Sequence, residues 1–476
     1  MLIGREKERE VLLRALRSEE SEMVAVIGRR RVGKTYLVRS VYAEQIRFET
    51  SGVQKATRKE QLENFRFQLK KAFGVSVPSA PFPSWQEAFF ALITCLESVP
   101  DVGRSVLFFD ELPWLASRKS GFLNALSFFW NSWAVRKNVV VVICGSAASC
   151  MIQKVVNDRG GLHNRITKRI ELMPFSLHET EVFLQSRNIR LDRYQILHLY
   201  MAMGGIPHYL NAVEPGKTAV QNINDICFTR SGLLNQEFGK LYPALFEHAE
   251  NHIRIIRALA QKWSGMNRKE ILAAAKLPDG GGTTLCLEEL QASGFVSAYT
   301  LFGKLKKDII YRLTDEYSLF YLQFIESRQN QGKNVWLHLS QTQAYTRWSG
   351  YAFESICLKH TDQIKKALGI SGIYTEASGF YQTGKEGLPG VQIDLLIDRK
   401  DNAINLFEIK FHTEPVMIDK ALADELRTKR ALFKQYTQTR KHVFLNLLCT
   451  YGIIENDHSL GLIDQAITMD ALFGAD

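Results

Sequence analysis

The sequence predicts an α/β protein built from several domains and led by a parallel sheet. Three observations carry that prediction. Strand-sized apolar runs at 24–27, 105–110 and 138–145 alternate with helical patterns, as in a parallel sheet crossed by helices. A glycine-bearing loop lies between the first run and the helix after it. Far downstream, QIDLLID (392–398) and NLFEIKF (405–411) form two more apolar strands set between amphipathic helices.

A chain of 476 residues is too long for one ordinary core, so two to four domains are expected. With 46% hydrophobic and 23% charged residues, the composition is that of a globular protein. Sixty Lys and Arg against 50 Asp and Glu leave +10, a lean toward a polyanionic partner such as DNA. The seven cysteines are scattered, with no C-x-x-C pair. That argues against a zinc site or a disulfide framework and fits a reducing cytoplasm. MLIGREKERE lacks the apolar run of a signal peptide, and no segment approaches the ~20 apolar residues of a spanning helix, so no membrane partner is expected.

The first element to justify is VAVIGRRRVGKTYLVRSVY, residues 24–42. Its loop, Gly28-Arg29-Arg30-Arg31-Val32-Gly33-Lys34-Thr35, fits G-x-x-x-x-G-K-[ST] with a strand before it and a helix after it. Glycines let the backbone wrap a phosphate chain, and N–H groups at the helix start point at it. Lys34 would reach the β- and γ-phosphates and Thr35 would ligate Mg²⁺. The arginine triplet is read either as solvated loop charge or as a nucleic-acid contact. The second run, SVLFFDEL (105–112), ends in Asp110-Glu111. Behind such a loop, Asp110 would hold the Mg²⁺ shell and Glu111 would act as general base on water, which implies hydrolysis. The third run places Ser146 at its end, as a γ-phosphate sensor or a helix N-cap.

Gly4-Arg5-Glu6, GRRRVGKT, DELPW, CGSAAS and GLHNRITKRIELMPF (161–175) together resemble the archaeal-type ATPases, a branch of the AAA+/STAND P-loop NTPases. GGIPHYL (204–210) resembles the family segment whose proline, here Pro207, closes over nucleotide from a helical lid. The resemblance implies ATP and Mg²⁺. It makes Arg165 a candidate arginine finger or sensor, a role that requires a neighbouring subunit, hence a homo-oligomer, or a closed lid. The other reading of Arg165 is a surface arginine. His163 and His208 read as polar loop residues.

The expected division is an ATPase core at 1–175, a helical lid at 176–250, a winged helix at 251–326 and a C-terminal α/β domain at 340–476. SRQNQGKN (327–334) is the most linker-like stretch. In the third segment, three helices precede VSAYTLFGKLKKDIIYRL, a succession that resembles a winged helix. The presumptive recognition helix, TTLCLEELQASGF, carries Glu288 and Glu289 and no Lys or Arg, and such acids are poor residues to face phosphate. Lys304, Lys306 and Lys307 in the turn, with Arg268 and Lys269, are the better DNA contacts. Structural coupling to the ATPase is the competing role.

The last domain begins with the amphipathic stretch 350–370, which carries Glu354. The two apolar strands, the helix KALADELRTKRALFKQY and the strand HVFLNLLCTYG follow. That order, with Asp394, Glu408 and Lys410, resembles the PD-(D/E)xK nuclease core. Two carboxylates on adjacent strands can share a Mg²⁺, with Glu354 completing the shell, while Lys410 places a cation beside the nucleophile. Lys429 on the next helix is a candidate for backbone contact. Val391-Gln392-Ile393 lacks the signature proline, and D-x13-E-x-K also suits ordinary surface ion pairs. The expected function is thus an ATPase coupled to a metal-dependent DNA nuclease. The alternative is a signalling ATPase whose C-terminal domain only binds nucleic acid or protein. A protein-remodelling ATPase is a third reading, disfavoured by the Glu-x-Lys hairpin.

Overall fold

The computed structural model describes residues 2–475 apart from 75–76, 79, 101–102, 118, 146–161, 163, 247, 305–307, 329–333 and 386. It comprises two compact units, Met1–Pro174 and Phe175–Asp476.

The first unit is built on five strands: β1 (Glu22–Ile27), β2 (Ile46–Ser51), β3 (Ser105–Asp110), β4 (Val139–Gly145) and β5 (Lys168–Glu171). They lie in the order β2-β3-β4-β1-β5, and every pairing is parallel. β1 and β4 are buried along their whole length, which is why EMVAVI and VVVVICG read as continuous apolar runs. The helix Arg58–Phe73 starts at a Thr57–Glu60 capping box, and Trp85–Ser98 starts at Ser84, whose side chain accepts the Glu87 N–H. Over the sheet these helices close an aromatic core of Phe48, Phe65, Trp85, Phe89, Phe109 and Phe122. The expected parallel α/β architecture is present.

The second unit opens with helices from Leu177–Ser186 onward. Three more, Ala249–Gln261, Arg268–Ala275 and Gly281–Ala292, accompany β6 (Met266–Asn267), β7 (Val296–Thr300) and β8 (Ile309–Leu313). These strands form an antiparallel sheet in the order β6-β8-β7. Glu289 is half-buried and pairs with the His252 ring at 2.7 Å, while Glu288 is exposed. Arg268 pairs with Asp279 at 2.7 Å, Lys304 is exposed, and Lys306 and Lys307 lie outside the described residues.

The helix Gln343–Lys359 leads into a mixed sheet of β9 (Thr375–Gln382), β10 (Val391–Arg399), β11 (Ala403–Lys410), β13 (His442–Cys449) and β15 (Gln465–Thr468). Its order is β15-β13-β11-β10-β9, antiparallel from β9 to β11 and parallel beyond. A ribbon of β12 (Val416–Met417) and β14 (Ile453–Ile454) stands apart. The helix Lys420–Thr437 supplies the crossover between β11 and β13 and shares a core with the sheet through Leu426 and Phe433. Leu406 lies on the face of Glu408 and belongs to this core, so both faces of β11 are covered. The described cysteines are buried free thiols, and no helix among the described residues is long and apolar enough to cross a membrane.

Candidate functional site

In the first unit, the carboxyl end of β1 feeds the loop and then the helix Lys34–Val41. Two glycines make the turn possible. A Cβ on Gly28 would stand 2.4 Å from the Leu172 carbonyl oxygen, and Gly33 holds φ at 94°, in the left-handed region. Lys34 is buried and its Nζ donates to the carbonyls of Gly28 and Arg29 at 3.0 and 2.8 Å. The arginine triplet is not uniformly solvated: Arg29 is buried, Arg30 exposed and Arg31 half-buried at φ 72°. Val32 is buried, and its carbonyl accepts from Arg5 Nη2 at 3.4 Å. Arg5, itself buried, therefore braces the loop from 27 residues upstream, a role its position in the sequence conceals.

Thr35 Oγ1 donates to Asp110 Oδ2 at 2.7 Å, joining the helix start to the end of β3. Asp110 Oδ1 accepts the Glu111 N–H at 2.9 Å. Glu111 adopts φ 48°, ψ 45°, a left-handed conformation costly for a residue with a side chain and typical of functional turns. Beneath it runs Gly52, where a Cβ would meet the Glu111 carbonyl oxygen at 2.5 Å. Cys144 at the end of β4 lies beside this pair. Burial pushes its thiol well above the ordinary range, and the Asp110 charge adds to that. Arg165 Nε donates to Asn131 Oδ1 at 2.7 Å, and Ser146 lies outside the described residues, as does His163. Pro207 belongs to the second unit, where it opens the short helix Pro207–Leu210.

The other candidate residues all lie in the second unit. Next to the Leu395–Phe407 pair, Asp394 and Glu408 hold adjoining positions on β10 and β11. The β9–β10 register shifts between Ile393 and Leu396, and an irregularity of this kind re-aims a side chain. Asp394 lines a cavity of about 590 Å³ together with Glu354, and Gln392 donates to it at 2.9 Å. Glu408 does not line that cavity. Its carboxylate is held by Lys410 and Lys429, each at 2.8 Å. Burial opposes the charge on Glu408, but the two lysines prevail and hold its carboxyl below the ordinary value. Glu354 accepts from Arg312 Nη1 at 2.7 Å, and the Arg312 guanidinium lies 4.9 Å from the Tyr351 ring centroid. Burial, reinforced by Asp394 and opposed by Arg312, raises the Glu354 carboxyl to about 7.

The three acids thus hold separate partners. Among the described residues no three His, Cys, Asp or Glu side chains are gathered to hold a metal ion. The physical reason is charge pairing: Arg312 neutralises Glu354, and two lysines neutralise Glu408.

Residues 2–213 match the model of a family described as an ATPase domain predominantly from Archaea. Those residues carry an archaeal-type ATPase domain. An uncharacterized protein of Methanocaldococcus jannaschii, MJECL04, is 22% identical over 420 residues, spanning 86% of this chain and 88% of its own. The Walker-type ATPase PABY2304 of Pyrococcus abyssi is similar in fold, with a TM-score of 0.51 at 19% identity over 67% of this chain and 96% of its own. The ORC2 protein of Aeropyrum pernix aligns at a TM-score of 0.43 and 14% identity, over 71% of this chain and 96% of its own.

The ATPase domain thus spans the loop, β3 and β4, and its match runs on through Gly204, Gly205 and Pro207. In that last stretch a Cβ on Gly205 would meet the Phe175 carbonyl oxygen at 1.9 Å. The loop fits a nucleotide by its glycines, and the Thr35–Asp110 oxygen pair fits Mg²⁺, a cation that prefers hard oxygen donors.

Proposed function

We propose that the protein is an ATP-hydrolysing AAA+/STAND-type switch whose C-terminal α/β domain acts on DNA. The observation that carries the ATPase half is the Thr35–Asp110 hydrogen bond, which brings the helix-start hydroxyl and the strand-end acid to one point. Residues of the loop from Gly28 to Thr35 cradle the phosphates, and Lys34 leaves its carbonyl partners to meet them. Thr35 and Asp110 hold Mg²⁺, whose charge neutralises phosphate oxygens when it is bound. Glu111 orients water and takes its proton. Ser146 senses the γ-phosphate, Pro207 belongs to the lid at 176–250, and Arg165 acts as a finger within a homo-oligomer.

In this reading, residues 251–326 form a winged helix and 340–476 a PD-(D/E)xK-like domain. Asp394, Glu408, Lys410 and Glu354 are its catalytic set, and a divalent cation would be held there once Glu408 exchanges its lysine partners for it. Support comes from the order of elements, with Asp394 and Glu408 on neighbouring antiparallel strands, and from the +10 charge of the chain. The pairing of Glu408 with two lysines favours the second reading, a C-terminal domain that binds nucleic acid or protein without cutting it. ATP turnover and DNA cleavage on wild type, Lys34→Ala and Lys410→Ala decide between them. Loss of turnover in Lys34→Ala with no cleavage by any form would leave the binding reading alone.

A further inference from the structure

Asp394 opens into a cavity whose walls come from three places. Tyr299 and Arg312 come from β7 and β8, Tyr351 and Glu354 from the helix Gln343–Lys359, and Tyr381 and Asp394 from the C-terminal sheet. We propose that this cavity receives a single strand of nucleic acid, one nucleotide at a time, and excludes the duplex. The inference rests on the reading of the C-terminal domain as one that acts on nucleic acid, and it adds the substrate class.

Size is the first argument. A volume of about 590 Å³ lies within the ≈300–1,000 Å³ of clefts that enclose a drug-sized ligand, and a nucleotide is of that size. A cavity of that volume holds one nucleotide and leaves no room for a base pair with its two backbones, so no duplex enters. Closure is the second. β7 and β8 are fastened on one side to the C-terminal sheet and on the other to the helix Gln343–Lys359. The Phe302 N–H donates to the Gly379 carbonyl at 2.8 Å, the Phe302 ring packs 5.6 Å from Phe433, and Arg312 is ion-paired with Glu354. Opening the wall wide enough for a duplex would break all three.

Chemistry is the third argument. Tyr381 is 49% exposed and stands opposite Gln392 in the β9–β10 register, while Gln392 donates to Asp394. Paired residues share a sheet face. A base stacked on Tyr381 therefore lies on the sheet face that carries Gln392, on the strand next to the one that bears Asp394. Stacking on an aromatic side chain is indifferent to base identity and requires an unpaired base, so the site selects strandedness over sequence.

Fluorescence anisotropy of the full chain with a labelled oligo-dT, and with a duplex of equal length, tests this, with Ca²⁺ present to hold back cleavage. The expected result is that the single strand binds at least tenfold tighter. Tyr381→Ala should weaken single-strand binding about tenfold with an unchanged melting temperature and leave duplex binding unaltered. Equal or tighter binding of the duplex, or a single-strand affinity indifferent to Tyr381→Ala, overturns the proposal. Cleavage is scored separately. A chain that binds single strands through Tyr381 and cuts nothing sinks the nuclease reading alone, whereas one that cuts and prefers duplex sinks this proposal alone.

Discussion

Arg312 on β8 donates to Glu354 on the helix Gln343–Lys359 at 2.7 Å, and both side chains are buried. The pair crosses 42 residues of sequence and joins the hairpin to the carboxylate cavity. Its electrostatics are unbalanced, because burial lifts Glu354 to about 7 despite the guanidinium. A carboxyl raised in this way binds its proton more tightly when folded. Its stabilising contribution is full below the ordinary carboxyl value and is lost as pH rises through about 7. Arg312→Met removes the one group that opposes the rise. The variant is expected to lose little stability at pH 5 and about 3–5 kcal/mol at pH 8, where Glu354 would be a buried, uncompensated charge. Urea denaturation at the two pH values measures this, and a pH-independent difference would contradict it.

Glu408 titrates with the opposite sign. Burial works against it, but Lys410 and Lys429 hold its carboxyl low, so its contribution is present above the ordinary carboxyl value and disappears as pH falls through the lower one. Lys429→Met removes one of the two partners and should raise the Glu408 value. The acid-unfolding midpoint is then expected to move up in pH, followed by circular dichroism against wild type. A midpoint that stays in place would show that Lys410 suffices.

In the ATPase domain, Lys34→Ala and Glu111→Gln are expected to fail differently. In the proposed mechanism the first removes the cation that meets the phosphates and should abolish binding of a fluorescent ATP analogue. The second should keep binding and lower turnover by roughly 10²–10⁴-fold, the range for a positioned general base. Equal loss of binding in both would show that Glu111 supports the fold of its strained turn instead of acting on water.

Gly28→Ala sets a Cβ against the Leu172 carbonyl, 2.4 Å away, so the backbone must shift. The expected destabilisation is about 1–3 kcal/mol, with weaker nucleotide binding, read by calorimetry with and without ATP. Gly28→Ala with wild-type melting and affinity would show that the loop relaxes freely.

The ATPase motif was legible because its signals are local. A fully buried strand, a glycine loop and a helix start lie within 20 consecutive residues, and the strand ending in Asp110-Glu111 is a continuous apolar run. β2 and β5 are less legible. IRFETS and KRIE are short, mixed edge strands whose pattern records only partial burial. Asp394, Glu408 and Lys410 were visible as residues, whereas the partners that Glu354 and Glu408 take, Arg312 and Lys429, were not.

The sequence by itself determined the chemistry available: the phosphate loop, the acids at the end of β3, and a hairpin carrying carboxylates beside a lysine. Tertiary structure decided which charges those groups spend on one another. Lys429 reaches Glu408 across 21 residues, Arg312 reaches Glu354 across 42, and Arg5 reaches the loop across 27. None of these pairings has a local signature, because a buried charge is compensated by whichever opposite charge the packed elements bring within about 3 Å, and packing is set by the whole core.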